Sequence, residues 1–343
     1  MISVLVVDDS ALIRALLSEV IEQHPLLDLV GAAPDAYIAK QMVNELKPDV
    51  ITLDIEMPKV NGLVFLDRLM KARPTPVVMF SSLTQNGTEA TIRALELGAV
   101  DFIAKPIFNV AEKLEEFSQE LTDKIVLASQ AKLDLYKISR MPLLKVDDSI
   151  GDVVIAIGAS TGGTEALKSI LLNLPVNFPP ILIVQHMPAG FTTSFAARLN
   201  GLCSIQVKEA IDGEKLVRGC AYIAPGDYHM KVRQGANGYS ISLDQHDKIS
   251  GHRPSVDVLF ASIADQVGQN AIGVIMTGMG KDGASGLKHM RDKGARTLAQ
   301  SEDTCVVFGM PQKAIEYGGV EQIEDLDKIS KRLGNWISTW DKD

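Results

Sequence analysis

Apolar runs and amphipathic stretches alternate along the first 121 residues of the chain. The strand-like runs, which are rich in Val and Ile, are 2–7, 50–53, 76–80 and 100–104. Between them, apolar residues recur at helical spacing, and a weaker apolar segment at Leu29-Val30 indicates one more strand. Continuous apolar runs are typical of parallel strands whose two faces are covered by helices. The pattern predicts a flavodoxin-like α/β domain with a parallel sheet of strand order 2-1-3-4-5.

A second alternation of this kind follows a stretch, 122–148, in which the periodicity fades. We interpret that stretch as a linker between a domain at 1–121 and a domain at 149–343. The strand-like runs of the second domain are 153–157, 181–185 and 271–276, and its helix-like runs are 164–174, 190–199, 255–267 and 283–293. Short runs on either side of Gly-Ala-Asn-Gly at 235–238 predict an antiparallel hairpin over 220–243. We expect a doubly wound α/β domain with this hairpin as an insert.

Length and charge limit the class of protein. A chain of 343 residues has room for two domains, because single cores rarely grow beyond about 250–300 residues. The net charge is −9 and is unevenly placed, since residues 1–121 hold 10 Lys and Arg against 18 Asp and Glu. Neither domain has the basic patch that binding to a phosphate backbone requires. The charge distribution therefore argues against nucleic acid as a partner.

Cysteine spacing and the apolar runs bear on the compartment. Cys203, Cys220 and Cys305 are far apart and form no metal-ligand spacing, which is typical of proteins in a reducing compartment. Met1 leads straight into a strand-like run, without the basic region and cleavage site of a signal peptide. No apolar run approaches the roughly 18 residues that span a bilayer. We expect a cytoplasmic protein that is not itself embedded in a membrane.

Carboxylates close two of the front strands. Asp8 and Asp9 follow the first strand-like run, and Asp54 follows the run at 50–53. In the predicted strand order these two strands are neighbours, so the three side chains would meet at the sheet edge where such folds bind ligands. Carboxylates at close range repel one another unless a cation lies between them, and oxygen ligands suit Mg²⁺. The ion would also neutralise an incoming phosphoryl group.

A hydroxyl and a lysine end the next two strands. Ser81 could donate a hydrogen bond to a phosphoryl oxygen, and Lys105 could pair with the same group, with a cis bond to Pro106 placing the ammonium over the site. The alternative is that a strand-end aspartate merely caps the next helix, as Asp9-Ser10 suggests. An acid pair, a lone aspartate, a hydroxyl and a lysine at successive strand ends favour the phosphoryl site.

This constellation closely resembles that of the response regulator receiver domain, and the resemblance covers the whole front third of the chain. It implies that Asp54 is the phosphoacceptor. It also implies that Mg²⁺ is bound by Asp9, by Asp54 and by the main-chain oxygen of Glu56, with Asp8 supporting the ion through water. Mg²⁺ would thus be the cofactor for phosphorylation of this domain.

The same resemblance implies a conformational switch at the strand ends. Ser81 and Phe102 would be the hydroxyl and the aromatic ring that shift on phosphorylation, and Lys105 would be the cation that bridges to the phosphoryl group. Phe102 has a plain alternative, because an apolar residue in a strand usually belongs to the core.

A serine lies in a glycine-rich turn after the first strand of the second domain. The segment Gly158-Ala159-Ser160-Thr161-Gly162 fits G-x-S-x-G between a strand and a helix, a context that exposes a nucleophilic hydroxyl. Serine needs a base, for which His186 at the next strand end is favoured and His252 in a loop is the second choice. Asp282, in a glycine-rich stretch after a later strand, would orient the base. These three side chains would share one sheet edge.

A glycine-rich phosphate loop of a dinucleotide site is the alternative for this turn. That alternative predicts an acid about 20 residues further on, at the end of the next strand. The strand ends in Gln185-His186 instead, which favours the serine nucleophile. The chain order Ser–His–Asp differs from that of the α/β-hydrolases, so that superfamily is not implied.

The two halves together resemble one family from end to end, the chemotaxis response-regulator protein-glutamate methylesterases of the CheB type. The segments that carry the resemblance are 158–163, 185–187, 252–257 and 277–283. The resemblance assigns catalysis to the serine, histidine and aspartate chosen above. It places Thr161 and Met279 beside the serine, where main-chain N–H groups would hold the oxyanion, and it implies that His252 is architectural.

The resemblance implies a phosphorylation-activated enzyme that hydrolyses glutamyl methyl esters on methyl-accepting chemoreceptors for chemotactic adaptation, and that deamidates glutamines at the same site. A histidine kinase would be the phosphodonor, and the unphosphorylated receiver domain would block the esterase mouth. The esterase site would need no cofactor, and we expect a monomer. Two other functions remain as alternatives: a phospho-switched signalling or binding module whose second domain is catalytically inactive, and a dinucleotide-dependent oxidoreductase.

Overall fold

The computed structural model describes residues 1–82, 84–105, 111–133, 153–236 and 238–340. The chain divides into two compact units, Met1–Asp134 and Leu135–Asp343, each with its own parallel sheet. Most of the predicted linker and Pro106 lie outside the described residues, and so does the predicted cis bond. The boundaries 1–121, 122–148 and 149–343 therefore stay predictions.

The front unit has five strands and five helices within the described residues. The strands are β1 (Ile2–Val7), β2 (Leu27–Ala33), β3 (Val50–Asp54), β4 (Val77–Ser81) and β5 (Asp101–Ala104). The helices are α1 (Ala11–Glu22), α2 (Ala36–Leu46), α3 (Gly62–Ala72), α4 (Gln85–Glu96) and α5 (Ala111–Ala128). Helix α5 continues past residue 121 because Leu121, Ile125 and Ala128 extend its buried stripe.

The sheet of the front unit has the order β2-β1-β3-β4-β5, and all its pairings are parallel. The predicted flavodoxin-like order is thus confirmed. From β1 the chain first crosses to β2 on one side and then returns to β3 on the other side. The point where the direction reverses lies between β1 and β3, and ligands of open α/β sheets bind at the carboxyl ends of the strands there.

Helix α1 begins at a serine cap. The Ser10 side chain accepts a hydrogen bond from the Ile13 N–H, at 3.5 Å, and the Ser10 N–H donates to Asp8 Oδ1, at 2.9 Å. The cap is therefore Ser10 and not Asp9. This arrangement leaves the exposed Asp9 carboxylate available to the carboxylate cluster at the strand ends.

The second unit combines a seven-stranded sheet with a separate hairpin. The strands of the sheet are β6 (Val154–Ala159), β7 (Ile181–Gln185), β8 (Gln206–Glu209), β9 (Cys220–Ile223), β12 (Ala271–Ile275), β13 (Arg296–Gln300) and β14 (Gln322–Glu324), and the hairpin is β10 (His229–Gly235) with β11 (Gly238–Asp244). The helices are α6 (Gly163–Leu171), α7 (Phe191–Asn200), α8 (Val256–Gln266), α9 (Ala284–Asp292), α10 (Met310–Glu316) and α11 (Leu326–Ser338). Short 3₁₀ helices lie at Gly268–Asn270 and Glu302–Thr304.

All pairings in the larger sheet are parallel, in the order β14-β13-β12-β6-β7-β9-β8. From β6 the chain builds one side of the sheet and later returns to the other side through β12. The reversal point lies between β6 and β12, which is where a ligand site is expected. The antiparallel hairpin is confirmed, but the predicted range of 220–243 is too long, because 220–223 forms β9 of the parallel sheet.

Helix packing holds the edge of this sheet in place. Helices α8 and α9 contact each other, and Phe260 of α8 is fully buried in the core. Burial of a side chain of this size contributes about 1.5–3 kcal/mol. Helix α8 also contacts β10, where the Val232 N–H donates to Ser262 Oγ at 3.0 Å.

No helix in the described part of the chain is both long and apolar enough to cross a bilayer.

Candidate active site

The carboxylate cluster lies at the reversal point of the front sheet. Asp8 and Asp9 follow β1 and Asp54 ends β3, and each offers an oxygen within 4.8 Å of the others. Asp8 and Asp54 are buried, while Asp9 is exposed. Lys105 follows β5, and its Nζ lies 2.9 Å from Asp54 Oδ1 and 3.4 Å from Asp8 Oδ2. The structure brings together the acid triplet and the lysine that the sequence predicts to form one site.

The single positive charge of Lys105 does not balance the negative charge of the carboxylate cluster. Burial raises the pKa of Asp54 to about 6, although Lys105 acts in the opposite direction. Burial also raises the pKa of Asp8, against the hydrogen bond from the Ser10 N–H. For Lys105, burial would lower the pKa, but its contacts with the two carboxylates outweigh burial and raise it. The pKa changes of all three groups indicate a site that is short of positive charge.

The free oxygens of the cluster fit a cation. Asp54 Oδ2 is buried and has no hydrogen-bond partner among the described residues, and the buried Asp8 Oδ2 has only the ion-pair contact with Lys105 Nζ at 3.4 Å. Buried carboxylate oxygens without a donor are costly unless a cation contacts them. A hard cation with oxygen ligands suits this donor set. The cluster could therefore bind a metal ion, as the sequence analysis predicts. The Glu56 main-chain oxygen as a ligand stays a prediction.

The predicted switch residues lie beside the cluster but face other partners. Ser81 ends β4, and its Oγ donates to the Gly87 main-chain oxygen, at 3.2 Å, and accepts from Thr91 Oγ1, at 2.6 Å, both on α4. Phe102 is buried within β5, with the Lys124 Nζ 5.2 Å from its ring centre. The hydroxyl is thus held by α4. A shift of the two side chains on phosphorylation stays a prediction.

Ser160 lies directly after β6, on the turn into α6. Gly162 in this turn has a φ of 76°, a left-handed conformation that favours glycine. The Ser160 N–H donates to the Thr277 main-chain oxygen at 3.0 Å. Its main-chain oxygen accepts from the Gly163 N–H, at 2.7 Å, and from Gln185 Nε2, at 2.9 Å. The backbone is therefore held on both sides, while the side chain is partly exposed and open to a substrate.

His186 lies at the end of β7, next to the serine's strand. Its main-chain N–H donates to the Ala159 oxygen at 3.1 Å, and its imidazole Nε2 lies 2.8 Å from Asp282 Oδ2. Because an ionised carboxylate only accepts hydrogen bonds, Nε2 carries the proton and Nδ1 carries the lone pair. Nδ1 is buried and has no hydrogen-bond partner among the described residues. It is the ring nitrogen available to a serine.

The serine and the histidine are neighbours whose side chains are not hydrogen-bonded. Ser160 and His186 follow paired strands, and Gln185 links the two strand ends. Across the described residues, no hydrogen bond joins Ser160 Oγ to His186. Catalytic hydrogen bonds are often long in ligand-free sites and shorten when the substrate binds. The structure therefore brings the two groups to one sheet edge and leaves the serine hydroxyl free to turn.

Asp282 is held at the N-terminus of α8. Oδ2 accepts from the Val256 N–H at 2.7 Å, in addition to His186. Oδ1 accepts from Ser255 Oγ, at 2.7 Å, and from the Asp257 N–H, at 3.1 Å. Ser255 also caps this helix, since its Oγ accepts from the Val258 N–H. The carboxylate thus accepts four hydrogen bonds and lies where the helix dipole favours negative charge.

The charge state of Asp282 follows from these donors. The side chain is only 1% exposed, and burial alone would raise its pKa. The hydrogen bonds from His186, Ser255 and Val256 outweigh burial and lower the pKa of Asp282 to about 2. The carboxylate is therefore ionised at neutral pH. It can fix the histidine tautomer and stabilise the imidazolium that forms when the base takes a proton.

The main-chain donors near Ser160 are unequally available. The Ser160 N–H is already used by Thr277, whereas the Met279 N–H donates to no described residue. Gly278 brings that loop close, because a Cβ on it would lie 2.7 Å from the Ser160 Cβ. Met279 thus fits the predicted oxyanion donor better than the serine's own N–H. Thr161 is buried, with its main-chain oxygen bonded to Thr277 Oγ1 at 3.0 Å, and its role stays a prediction.

Three residues contact the site without having been assigned these contacts from the sequence. Gln185 binds the serine backbone, Ser255 binds Asp282, and His252 stacks on the His186 ring with the ring centres 3.7 Å apart. A serine directly before an apolar helical run is a visible N-cap signal for Ser255. No local pattern shows the other two contacts, since they depend on which strands and loops become neighbours.

Two family models match the chain: CheB methylesterase over residues 155–333 and the response regulator receiver domain over residues 4–116. The chain is 52% identical over 348 residues to a protein-glutamate methylesterase/protein-glutamine glutaminase of Methylobacillus flagellatus, covering 98% of this chain and 97% of the relative. It is 51% identical over 339 residues to protein-glutamate methylesterase/protein-glutamine glutaminase 2 of Pseudomonas aeruginosa, covering 97% of this chain and 96% of the relative.

A solved structure supports the same assignment for the second unit. The crystal structure of the Thermotoga maritima CheB methylesterase catalytic domain matches with a TM-score of 0.53 and 42% sequence identity. The match covers 54% of this chain and 99% of that one. The fold, the strand-end groups and these similarities agree along nearly the whole length of the chain. The chain therefore belongs to the CheB methylesterase family, and a response regulator receiver domain precedes its methylesterase domain.

Proposed function

We propose that this chain is a phosphorylation-activated protein-glutamate methylesterase that hydrolyses glutamyl methyl esters on chemoreceptors by a Ser–His–Asp acyl-enzyme mechanism. The observation that carries the proposal is the buried His186–Asp282 pair, 2.8 Å apart, at the strand end beside Ser160. The relatives' names include methylesterase activity towards protein glutamate, which agrees with this site. Chemotactic adaptation would be the process that the enzyme serves.

In the first half of the reaction, Ser160 Oγ attacks the ester carbonyl carbon while His186 Nδ1 takes the hydroxyl proton. The C–O bond to serine forms, and the carbonyl oxygen becomes an oxyanion. The Met279 N–H would donate to that oxygen, and this role is supported by the fact that no described residue accepts its hydrogen bond. Removing one such donor typically lowers kcat by about 10²- to 10³-fold. Asp282 stabilises the imidazolium throughout this step.

In the second half, the oxyanion collapses and the bond to the methoxy oxygen breaks. The His186 imidazolium returns its proton to that oxygen, so methanol leaves and a glutamyl ester on Ser160 remains. Water then attacks the acyl-enzyme with His186 again as the base. The ester bond to Ser160 breaks, the receptor leaves with a glutamate side chain, and the imidazolium returns its proton to the serine oxygen. A glutamine side chain would pass through the same acyl-enzyme with ammonia as the leaving group, which would explain a deamidase activity at this site. No step requires a cofactor in the esterase domain.

The receiver domain would control this reaction through Asp54. A histidine kinase would supply the phosphoryl group. Mg²⁺ held by Asp9, Asp54 and the Glu56 main-chain oxygen, with Asp8 acting through water, would neutralise the charge during transfer. Lys105, already 2.9 Å from Asp54, would then bridge to the phosphoryl group. The Ser81 hydroxyl would leave its bonds on α4 to reach it. These events would relieve a block of the esterase mouth by the unphosphorylated receiver domain.

The test of catalysis is methanol release from methylated receptor membranes by the Ser160→Ala variant. Loss of Oγ removes the only atom that forms the acyl-enzyme, so turnover should fall by orders of magnitude, on the order of 10⁶-fold by analogy with serine hydrolases. Ser204→Ala is the matched control, because Ser204 is exposed in the same domain. Undiminished turnover in Ser160→Ala would refute the assignment. An intact chain that releases no methanol would instead favour the alternative of a signalling module with an inactive second domain.

The test of control compares turnover with and without a small-molecule phosphodonor, in the intact chain and in Asp54→Asn. We expect stimulation only in the intact chain. A chain without residues 1–145 should show raised basal turnover, because the block would be gone. A truncated enzyme no faster than the intact one would count against a blocked mouth while leaving the catalytic proposal untouched.

A further inference from the structure

The His186 imidazole is covered on one face by a second imidazole. The rings of His186 and His252 are stacked, with their centres 3.7 Å apart and their planes inclined by 13°. His252 is half-buried and lies in the loop between β11 and α8. Offset stacking of aromatic rings at such distances is attractive. This contact was not assigned from the sequence, which offered His252 only as a second choice of base or as an architectural residue.

His252 is held from both sides by its own loop. Its N–H donates to the Ile249 oxygen, at 2.9 Å, and its oxygen accepts from the Ile249 N–H, at 3.1 Å. The next residue, Arg253, anchors the loop to the turn that precedes β10, with Nε and Nη2 at 3.0 and 2.6 Å from Asp227 Oδ1. Its Nη1 donates to two further main-chain oxygens. The ring of His252 is therefore presented by a closely tied backbone.

The same short segment, 252–257, also holds the acid partner of His186. Ser255, Val256 and Asp257 supply three of the four hydrogen bonds that Asp282 accepts. One end of the segment thus covers the ring of His186, and the other end holds the carboxylate to which that ring is bonded. The orientation of the histidine depends on this one segment in two ways.

A single hydrogen bond does not fix an imidazole ring. The torsion about the Cβ–Cγ bond of histidine has broad, roughly two-fold minima, so a ring tied only at Nε2 can still rock about that contact. Rocking would move Nδ1, the one nitrogen left for Ser160, out of line with the serine hydroxyl. A flat aromatic surface against the ring removes this freedom. It also places an aromatic face beside the cation that forms during proton transfer, which is a favourable contact.

We propose that His252 is a positioning residue for the reaction: its ring holds the His186 imidazole in the plane that directs Nδ1 to Ser160, and it touches neither the substrate nor the migrating proton. The proposal rests on the proposed role of His186 as the base. It predicts that an aromatic ring at position 252 is what the site requires, and that an ionisable group there is not.

The experiment compares His252→Phe with His252→Ala in the full-length protein. We expect His252→Ala to lower kcat for methyl ester hydrolysis by about 10- to 100-fold, because a misplacement on the order of 1 Å has effects of this size. KM should stay within about twofold, since His252 does not contact the substrate. The phenylalanine variant should keep kcat within a few-fold of the parent. His246→Ala is the matched control, because His246 is a highly exposed histidine on the same loop, paired only with Asp244 among the described residues.

A second readout is independent of turnover. The proton on His186 Nε2, shared with the ionised Asp282, should give a downfield NMR resonance in the parent and in His252→Phe. The resonance should broaden or disappear in His252→Ala, because the ring is no longer held. His186→Ala identifies the signal. Circular dichroism shows whether each variant is folded, and if His252→Ala fails to fold, His252→Leu takes its place as an apolar side chain without a ring plane.

The outcomes separate the two proposals. An alanine variant with unchanged kcat, or a phenylalanine variant as slow as alanine, would overturn the positioning role. Loss of kcat with a matching rise in KM would also overturn it, because it would place His252 in substrate binding. A failure of the proposed catalytic function would be seen in another variant, because methanol release would then survive in Ser160→Ala.

Discussion

Replacement of Asp282 by asparagine tests the reasoning about the triad most directly. The side chain has the same size, but one oxygen becomes an NH₂ group. All four groups around the carboxylate face it as donors, at 2.7 to 3.1 Å. With the NH₂ at the Oδ1 position, it opposes the Asp257 N–H. With the NH₂ at the Oδ2 position, it opposes the Val256 N–H and also forces His186 to accept at Nε2.

Each orientation of the amide therefore has a defined effect on catalysis. When the NH₂ faces His186, the proton moves to Nδ1 and the base can no longer deprotonate Ser160. When it faces Asp257, the tautomer is kept but the negative charge that stabilises the imidazolium is lost. We expect kcat to fall by about 10⁴-fold, the size of the effect that the same change has in a serine protease triad. The assay is methanol release at saturating substrate.

The stability of the catalytic domain should change as well, with a characteristic pH dependence. The pKa of Asp282 is lowered to about 2 in the folded protein, against about 3.9 for an unfolded chain. At about 1.4 kcal/mol per pKa unit, the ionised carboxylate contributes on the order of 2–3 kcal/mol at neutral pH. Because the folded pKa is depressed, this stability is present above about pH 4 and is lost as the pH falls towards 2. The parent and Asp282→Asn curves should therefore converge at low pH.

The measurement is denaturant unfolding followed by tryptophan fluorescence between pH 7 and pH 3. Both tryptophans of the chain, Trp336 and Trp340, belong to the catalytic domain, so the signal reports that domain alone. The matched control is Asp265→Asn, which alters a His–Asp pair of the same 2.8 Å length whose aspartate side chain is 56% exposed. Exposed pairs contribute little, typically below about 1 kcal/mol. A stability difference between the parent and Asp282→Asn that does not narrow towards low pH, or a kcat of Asp282→Asn above a tenth of the parent value, would contradict the role of the ionised Asp282.

Three further predictions concern other parts of the two sites. Gly278→Ala would put a Cβ 2.7 Å from the Ser160 Cβ, so we expect methanol release to fall at least about 100-fold and the domain to lose about 1–3 kcal/mol in denaturant unfolding. Lys105→Met removes the only cation within 4 Å of Asp54 among the described residues, so phosphate incorporation from a small phosphodonor should drop while basal esterase activity is kept. Mg²⁺ at ten times its Kd should stabilise the receiver domain by about 1.4 kcal/mol, measured by calorimetry. A chelator should reverse this stabilisation, and the stabilisation should be smaller in Asp9→Asn. A thermal transition that Mg²⁺ does not shift would contradict the metal site.

Local patterns in the sequence are enough to locate the chemistry. Apolar runs mark the buried strands, and polar residues that end such runs are carried to one edge when the strands are parallel. For this reason the strand pattern alone assigns Asp8, Asp54, Ser160, His186 and Asp282 to two strand-end sites. A short strand is harder to assign from its sequence, because few residues define its pattern. Residues 220–223 have the composition of a hairpin arm, but they pair in parallel with β7 and β8, and only long-range packing decides this.

Strand periodicity and strand-end chemistry are local properties, so the fold class of both domains and the identity of the groups at each sheet edge follow from the sequence alone. How those groups are held depends on the tertiary structure. It placed Asp282 on the first N–H groups of α8, used the Ser160 N–H for a bond to Thr277, and laid His252 flat against His186. Each of these contacts joins residues far apart along the chain, and the energy of such a contact depends on the packing of whole elements. No short stretch of sequence contains that information.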